Sequence, residues 1–184
     1  MANEPNGKRV AILVENGFEQ DELMKPRRAL QEAGAYTEII SPQRIMVRGW
    51  DHTEWGDEIP VDVVLEEARA DDYDALLLPG GVMNPDKLRR NEKAQQFVRA
   101  FFKEGKPIAA ICHAPWMLID AGIASGLTMT SYHTLQMDLK NAGANWVDRE
   151  VVVDQGLVTS RNPDDIPAFN AKILEEFAEG VHER

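Results

Sequence analysis

Short apolar runs alternate with amphipathic stretches along almost the whole chain. Arg9–Val14 (RVAILV), Tyr36–Ile40, Tyr73–Leu78 (YDALLL) and Pro107–Ile111 are compact runs that read as buried parallel strands. Asp21–Ala33 predicts a helix closed by Gly34, with Leu23, Arg27 and Leu30 on one partly apolar face. Glu92–Glu104 is a clearer helix: Ala94, Phe97, Val98 and Phe101 recur at helical spacing before Gly105. Pro163–Glu179 is the last, with Ile166, Phe169, Ile173, Leu174 and Phe177 on one side. Val64–Ala68, Pro85–Arg90, Ala114–Ala121 and Leu135–Ala142 are shorter helical pieces. Thr128–Ser131, Asn145–Val147 and Glu150–Val153 are extended, and Asp154-Gln155-Gly156 turns the chain back into Leu157–Ser160.

Ile45–Val47 and Ile59–Val61 bracket a turn-rich stretch, which predicts a small antiparallel excursion on one edge of the sheet. Strands alternating with helices imply an α/β fold with a doubly wound, mostly parallel central sheet. Residues 9–180 are expected to form a single domain, behind a loose polar tail at 1–8.

Composition narrows the function more than the fold. The chain has 184 residues, 43% of them hydrophobic, enough for a sizeable core. A formal net charge of −11 argues against nucleic acid and anionic membrane as partners. No apolar run is long enough to span a bilayer, and a cytoplasmic protein is expected. No G-x-G-x-x-G follows the first strand and no Cys/His/Asp group has metal-site spacing, so neither cofactor nor metal is implied.

The chemistry gathers at Lys106–Met117, KPIAAICHAPWM. A buried strand stops at Cys112, the sole cysteine, and a helix starts almost at once with Pro115 in its first turn. Ala110 and Ala114 supply the small neighbours that a strand–turn–helix elbow needs. Such an elbow places the thiol at the carboxyl edge of the sheet, over helix N-terminal N–H groups that favour thiolate. A small buried hydrophobe is the alternative for a lone cysteine. Glu19 follows the first strand on the same edge, either as part of the site or as a helix-start carboxylate. Pro79-Gly80-Gly81 ends the third strand as a tight turn, or as an oxyanion hole beside Cys112. His52 reads as a solvated loop residue. Tyr132 and His133, just past a strand end, are pocket or loop residues.

Asn16-Gly17-Phe18-Glu19, Leu78-Pro79-Gly80-Gly81, Ala109–Pro115, Thr130-Ser131-Tyr132 and Ser160-Arg161-Asn162-Pro163 together resemble the PfpI family of the DJ-1 superfamily, related to class I glutamine amidotransferases. The resemblance runs from about Arg9 to Phe177; Ala114 stands where many relatives have Gly. It implies a flavodoxin-like three-layer sandwich with Cys112 as nucleophile and Glu19 hydrogen-bonded to the sulfur. Gly81 and His113 N–H groups would form the oxyanion hole. It further implies a homodimer or larger homo-oligomer, in which an acid from a neighbouring subunit orients His113. Asp86 occupies that position, with Asp for the usual Glu; it reads equally as a carboxylate near a helix N-cap. The implied activity is a stress-protective cysteine hydrolase acting on a peptide, a small carbonyl compound or a glycated adduct. A redox-sensing stress protein, its cysteine oxidised without turnover, is the alternative.

Overall fold

The computed structural model describes residues 4–184. Strands β1 (Arg9–Leu13), β3 (Tyr36–Ser41), β6 (Val63–Val64), β7 (Ala75–Leu78), β8 (Ile108–Ile111), β11 (Val152–Asp154) and β12 (Leu157–Ser160) form one sheet. Its order is β11-β12-β8-β7-β1-β3-β6, and every pairing is parallel except the β11–β12 hairpin at one edge. Gln155 and Gly156 turn that hairpin with φ of 50° and 76°, the double positive-φ geometry of a two-residue connection. The fold is thus the expected α/β sandwich with a mostly parallel sheet.

Strand alternation divides the core in two. Ala11, Leu13, Leu76, Leu78, Ile108 and Ala110 face a layer built from α3 (Glu92–Lys103), α4 (Trp116–Asp120) and α5 (Gln136–Asn141), with α2 (Met83–Arg89) against α3 and α4. Val10, Ile12, Ala75, Leu77, Ala109, Ile111 and Val158 face α1 (Gln20–Glu32) and α6 (Ile166–Glu179). Burial on both faces explains why these strands read as continuous apolar runs. Cys112 belongs to the second layer, with Leu23, Ile166 and Phe169.

Three local expectations change. The antiparallel excursion is not an edge of the main sheet: β4 (Met46–Asp51) and β5 (Glu54–Pro60) form a separate sheet with β2 (Phe18–Glu19), which pairs parallel to β4. This hairpin folds over the carboxyl ends of the main strands, turning at His52 with φ 55°. The described part of the N-terminal tail is docked rather than loose. Pro5 is buried and the Gly7 N–H donates to the Gly34 carbonyl at 2.9 Å; Met1–Asn3 lie outside the described residues. The helix after the elbow is one short turn, α4, preceded by a four-residue turn over 112–115. The remaining short strands, β9 (Thr128–Met129) and β10 (Asn145–Trp146), pair with each other.

Candidate active site

Cys112 sits in the left-handed region with φ 64°, an arrangement that costs a non-glycine residue about 1–2 kcal/mol. The surrounding backbone holds it there: Cys112 N–H donates to Ser160 O at 3.0 Å, and its carbonyl accepts from Tyr132 N–H at 2.8 Å. Extending β8 by one bond to the end of β12 and then reversing the chain turns the thiol toward the carboxyl edge of the sheet. The expected elbow is present, built by strand pairing more than by the brief helix that follows.

The turn after β7 closes over the sulfur. Gly81 has φ 77°, and a β-carbon there would lie 2.6 Å from Glu19 N and 2.7 Å from Gly17 O. At Gly80 a β-carbon would stand 2.5 Å from Ile111 O and 2.7 Å from Cys112 Cβ. Both positions therefore exclude any side chain. The N–H groups of Gly81 and His113 converge on Cys112 and pull its pKa down. Asn84, wholly buried, braces this turn: its amide donates to Pro79 O at 2.8 Å and Gly80 O at 3.1 Å, and its oxygen accepts from Glu15 N–H at 2.7 Å. The sequence reading missed Asn84, one residue into a short helix.

The carboxyl beside the sulfur belongs to Glu22, not to Glu19. Glu22 is fully buried on α1, and its nearest polar neighbours are the Cys112 thiol and the N–H groups of Gly80 and Gly81. Neither of its oxygens makes a hydrogen bond of good geometry, so desolvation is poorly offset. Burial, then repulsion from Glu19, pushes its pKa to about 8. Helical phase accounts for the placement: Glu22, Leu23, Pro26 and Leu30 form the buried face of α1, in place of the Leu23, Arg27, Leu30 face expected. Glu19 caps the start of α1 and turns toward the β4–β5 hairpin. Its Oε1 accepts from His52 N–H at 3.4 Å and lies 3.6 Å from His52 Nδ1. Burial raises the Glu19 pKa and the His52 N–H opposes the rise.

His113 Nδ1 lies 3.1 Å from Cys112 Sγ. Its ring stacks on Tyr132 at 4.7 Å and meets Trp116 edge-on at 5.1 Å. Burial, helped by His133, lowers the His113 pKa to about 4, so the ring is neutral at pH 7. Among the described residues, no carboxylate lies within 4.0 Å of a His113 ring nitrogen; Asp86 is exposed on α2 of the same chain. Tyr132 lines the site, whereas His133 is exposed behind it, its ring 4.4 Å from that of Tyr132.

Expected thiolate stabilisation meets a stronger opposing effect. The Cys112 thiol is pushed up, first by burial and then by the Glu22 carboxyl, against the two N–H groups that pull it down. A helix of five residues supplies little dipole to reverse this. Cys112 and Glu22 are two acids in one buried site, and each makes the other harder to ionise.

These groups line a cavity of about 470 Å³, together with Gly17, Trp50, His52, Val82, Met83 and Pro163. It lies over the carboxyl ends of β1 and β7, where the strand order reverses and open α/β sheets take their ligands. Glu19, Asp51 and His52 at its mouth offer ligating atoms within 4.8 Å of one another, a set able to hold a divalent cation. Among the described residues, no helix is long and apolar enough to cross a membrane.

A buried cysteine on a left-handed elbow, paired with a buried carboxyl at the switch point of a flavodoxin-like sheet, defines a cysteine-centred α/β protein. The chain belongs to the DJ-1/PfpI family, whose profile matches residues 8–176. It is 43% identical over 170 residues to general stress protein 18 of Bacillus subtilis, covering 91% of this chain and 96% of that one. Deglycase PfpI of Pyrococcus furiosus is 42% identical over 161 residues, covering 88% and 94% respectively. The crystal structure of Drosophila melanogaster DJ-1beta has a TM-score of 0.85 at 30% identity, covering 94% of this chain and 91% of that chain.

Proposed function

We infer that the protein is a cytoplasmic, cysteine-dependent hydrolase whose thiolate attacks a carbonyl or amide carbon, with small dicarbonyl compounds and their adducts as first candidates. The observation that carries this reading is the Glu22–Cys112 pair, set under two convergent N–H groups in a cavity large enough for a small substrate. In the minority of molecules whose Glu22 is ionised at pH 7, the thiol proton passes to its carboxylate as sulfur bonds to carbon, which leaves Glu22 neutral. Negative charge then develops on the substrate oxygen, within reach of the Gly81 and His113 N–H groups. Neutral His113 is placed to accept a proton from the water that later displaces sulfur. Glu22, not Glu19, is the acid–base partner in this scheme. The names deglycase, for the Pyrococcus relative, and general stress protein, for the Bacillus relative, are compatible with it.

Asp86 could serve His113 only from a second copy, so completion of a triad requires a homo-oligomer. The same donors, two N–H groups and a protonated Glu22, would also hold the oxygens of a sulfinate, and this favours redox sensing as the second reading. Steady-state assay of purified protein against methylglyoxal and a peptide panel, with Cys112→Ser as control, separates them. Turnover abolished in Cys112→Ser supports the hydrolase; no turnover, with sulfinate forming under peroxide, supports the sensor.

A further inference from the structure

Glu19 is left without the role expected of it, yet it lines the cavity. Its carboxylate is half-buried, and its partners there are the His52 N–H at 3.4 Å and the His52 ring at 3.6 Å, both long contacts. Asp51 stands beside the same ring, 3.8 Å from His52 Nε2, and adds a second negative charge at the mouth. Among the described residues, no lysine or arginine lines this cavity. The basic side chains nearest in sequence are engaged elsewhere: Arg48 donates to Gly56 O, Lys25 pairs with Asp21, and Arg161 pairs with Asp148 and Asp165. Trp50 and Tyr132 supply aromatic surface to the lining. A concave, acid-lined, aromatic-walled site holds a cation by direct attraction and by its π faces, and repels an anion.

We propose that Glu19 is a specificity-determining residue that selects substrates bearing an ammonium or guanidinium group beside the electrophilic carbon, and that it disfavours those bearing a carboxylate. The inference rests on the reading of Cys112 as the site's nucleophile and names the charge class that site receives. Glu19 lies at the entrance, just before α1, while Glu22 on α1 faces the sulfur, so charge recognition and proton handling fall to different carboxyls three residues apart in the chain.

The test uses thiol reagents of equal reactive group and opposite tail. Methanethiosulfonates carrying a trimethylammonium or a sulfonate tail both form a disulfide with Cys112 and release methanesulfinate. Rates are measured at one pH and low salt for the protein and for free cysteine, with iodoacetamide as the neutral reference. The cation-to-anion rate ratio of the protein, divided by that of free cysteine, should exceed one and fall as salt is added. In Glu19→Gln the ratio should drop about fivefold or more, as expected for losing one charge a few ångströms away in a partly screened site. A wild-type ratio equal to that of free cysteine would overturn the proposal without reference to any variant. So would a ratio unchanged in Glu19→Gln, which would assign any preference to the Cys112–Glu22 pair itself. Absence of carbonyl turnover, by contrast, would count against the hydrolase reading and leave these ratios to stand.

Discussion

Glu22 and Cys112 meet across Gly80. A β-carbon on Gly80 would collide with the Glu22 carboxylate and lie 2.7 Å from Cys112 Cβ, with Ile111 O at 2.5 Å on the other side. The contact between the two acids therefore depends on a residue with no side chain at all.

Gly80→Ala should separate the pair. Ile111 O is backbone and cannot swing away, so the added methyl forces a main-chain shift costing roughly 1–3 kcal/mol or more. Denaturant unfolding should show that loss, and the pH profile of Cys112 alkylation should move. Wild-type stability with an unaltered profile would mean the turn has slack that the packing does not suggest.

The buried carboxyl has a signature in stability. The Glu22 pKa is raised from 4.5 to about 8 in the folded protein, so the folded state holds a proton that the unfolded state gives up. Stability from this group is full below about pH 4.5 and declines as pH rises toward 8. Glu22→Gln removes that decline. The melting temperature of the variant, relative to wild type, should therefore climb between pH 5 and 8 on the linkage argument. A constant difference across that range would place an ordinary carboxylate at position 22.

His113 should titrate far below a free imidazole. Its pKa is lowered from 6.5 to about 4, chiefly by burial. Here the unfolded state takes the proton first, so stability from this group is full above pH 6.5 and is lost as pH falls toward 4. Imidazole NMR shifts should give a midpoint near 4; a midpoint at or above 6.5 would make His113 a cation at neutral pH and remove it as a base.

The elbow strain can be read by deleting the sulfur in two ways. Glycine in place of alanine ordinarily destabilises by about 0.5–1 kcal/mol, but at positive φ the order reverses. Cys112→Gly should accordingly be more stable than Cys112→Ala by about 1 kcal/mol. The opposite order would mean that the φ of 64° is not retained once the thiol is gone.

Strand runs such as RVAILV and YDALLL were legible because parallel strands buried on both faces leave an unbroken apolar signature. Gly80-Gly81 and the β11–β12 turn were legible because glycine is tied to one backbone requirement, and the Cys112 corner was legible from the apolar strand before it and Pro115 after it. Glu22 was not. A carboxylate at a helix start ordinarily reads as solvated, and its burial follows from the phase of α1 against β1 and β8, which sequence proximity to the strand end does not convey. One clue was present: Glu22 is spaced four residues from Pro26 and eight from Leu30 on a single face. His52 is the exposed turn residue expected, but its contact with Glu19 was unreadable, since a hairpin closing over the sheet edge brings it there from 33 residues away.

The most direct test of the Glu22–Cys112 pair is the pH dependence of Cys112 alkylation by iodoacetamide in wild type and in Glu22→Gln. Two coupled acids should give a wild-type rate that rises in two steps, and a lone thiol beside an amide should give one step in the variant. Superimposable profiles would contradict the pairing and leave Cys112 as a solitary buried thiol.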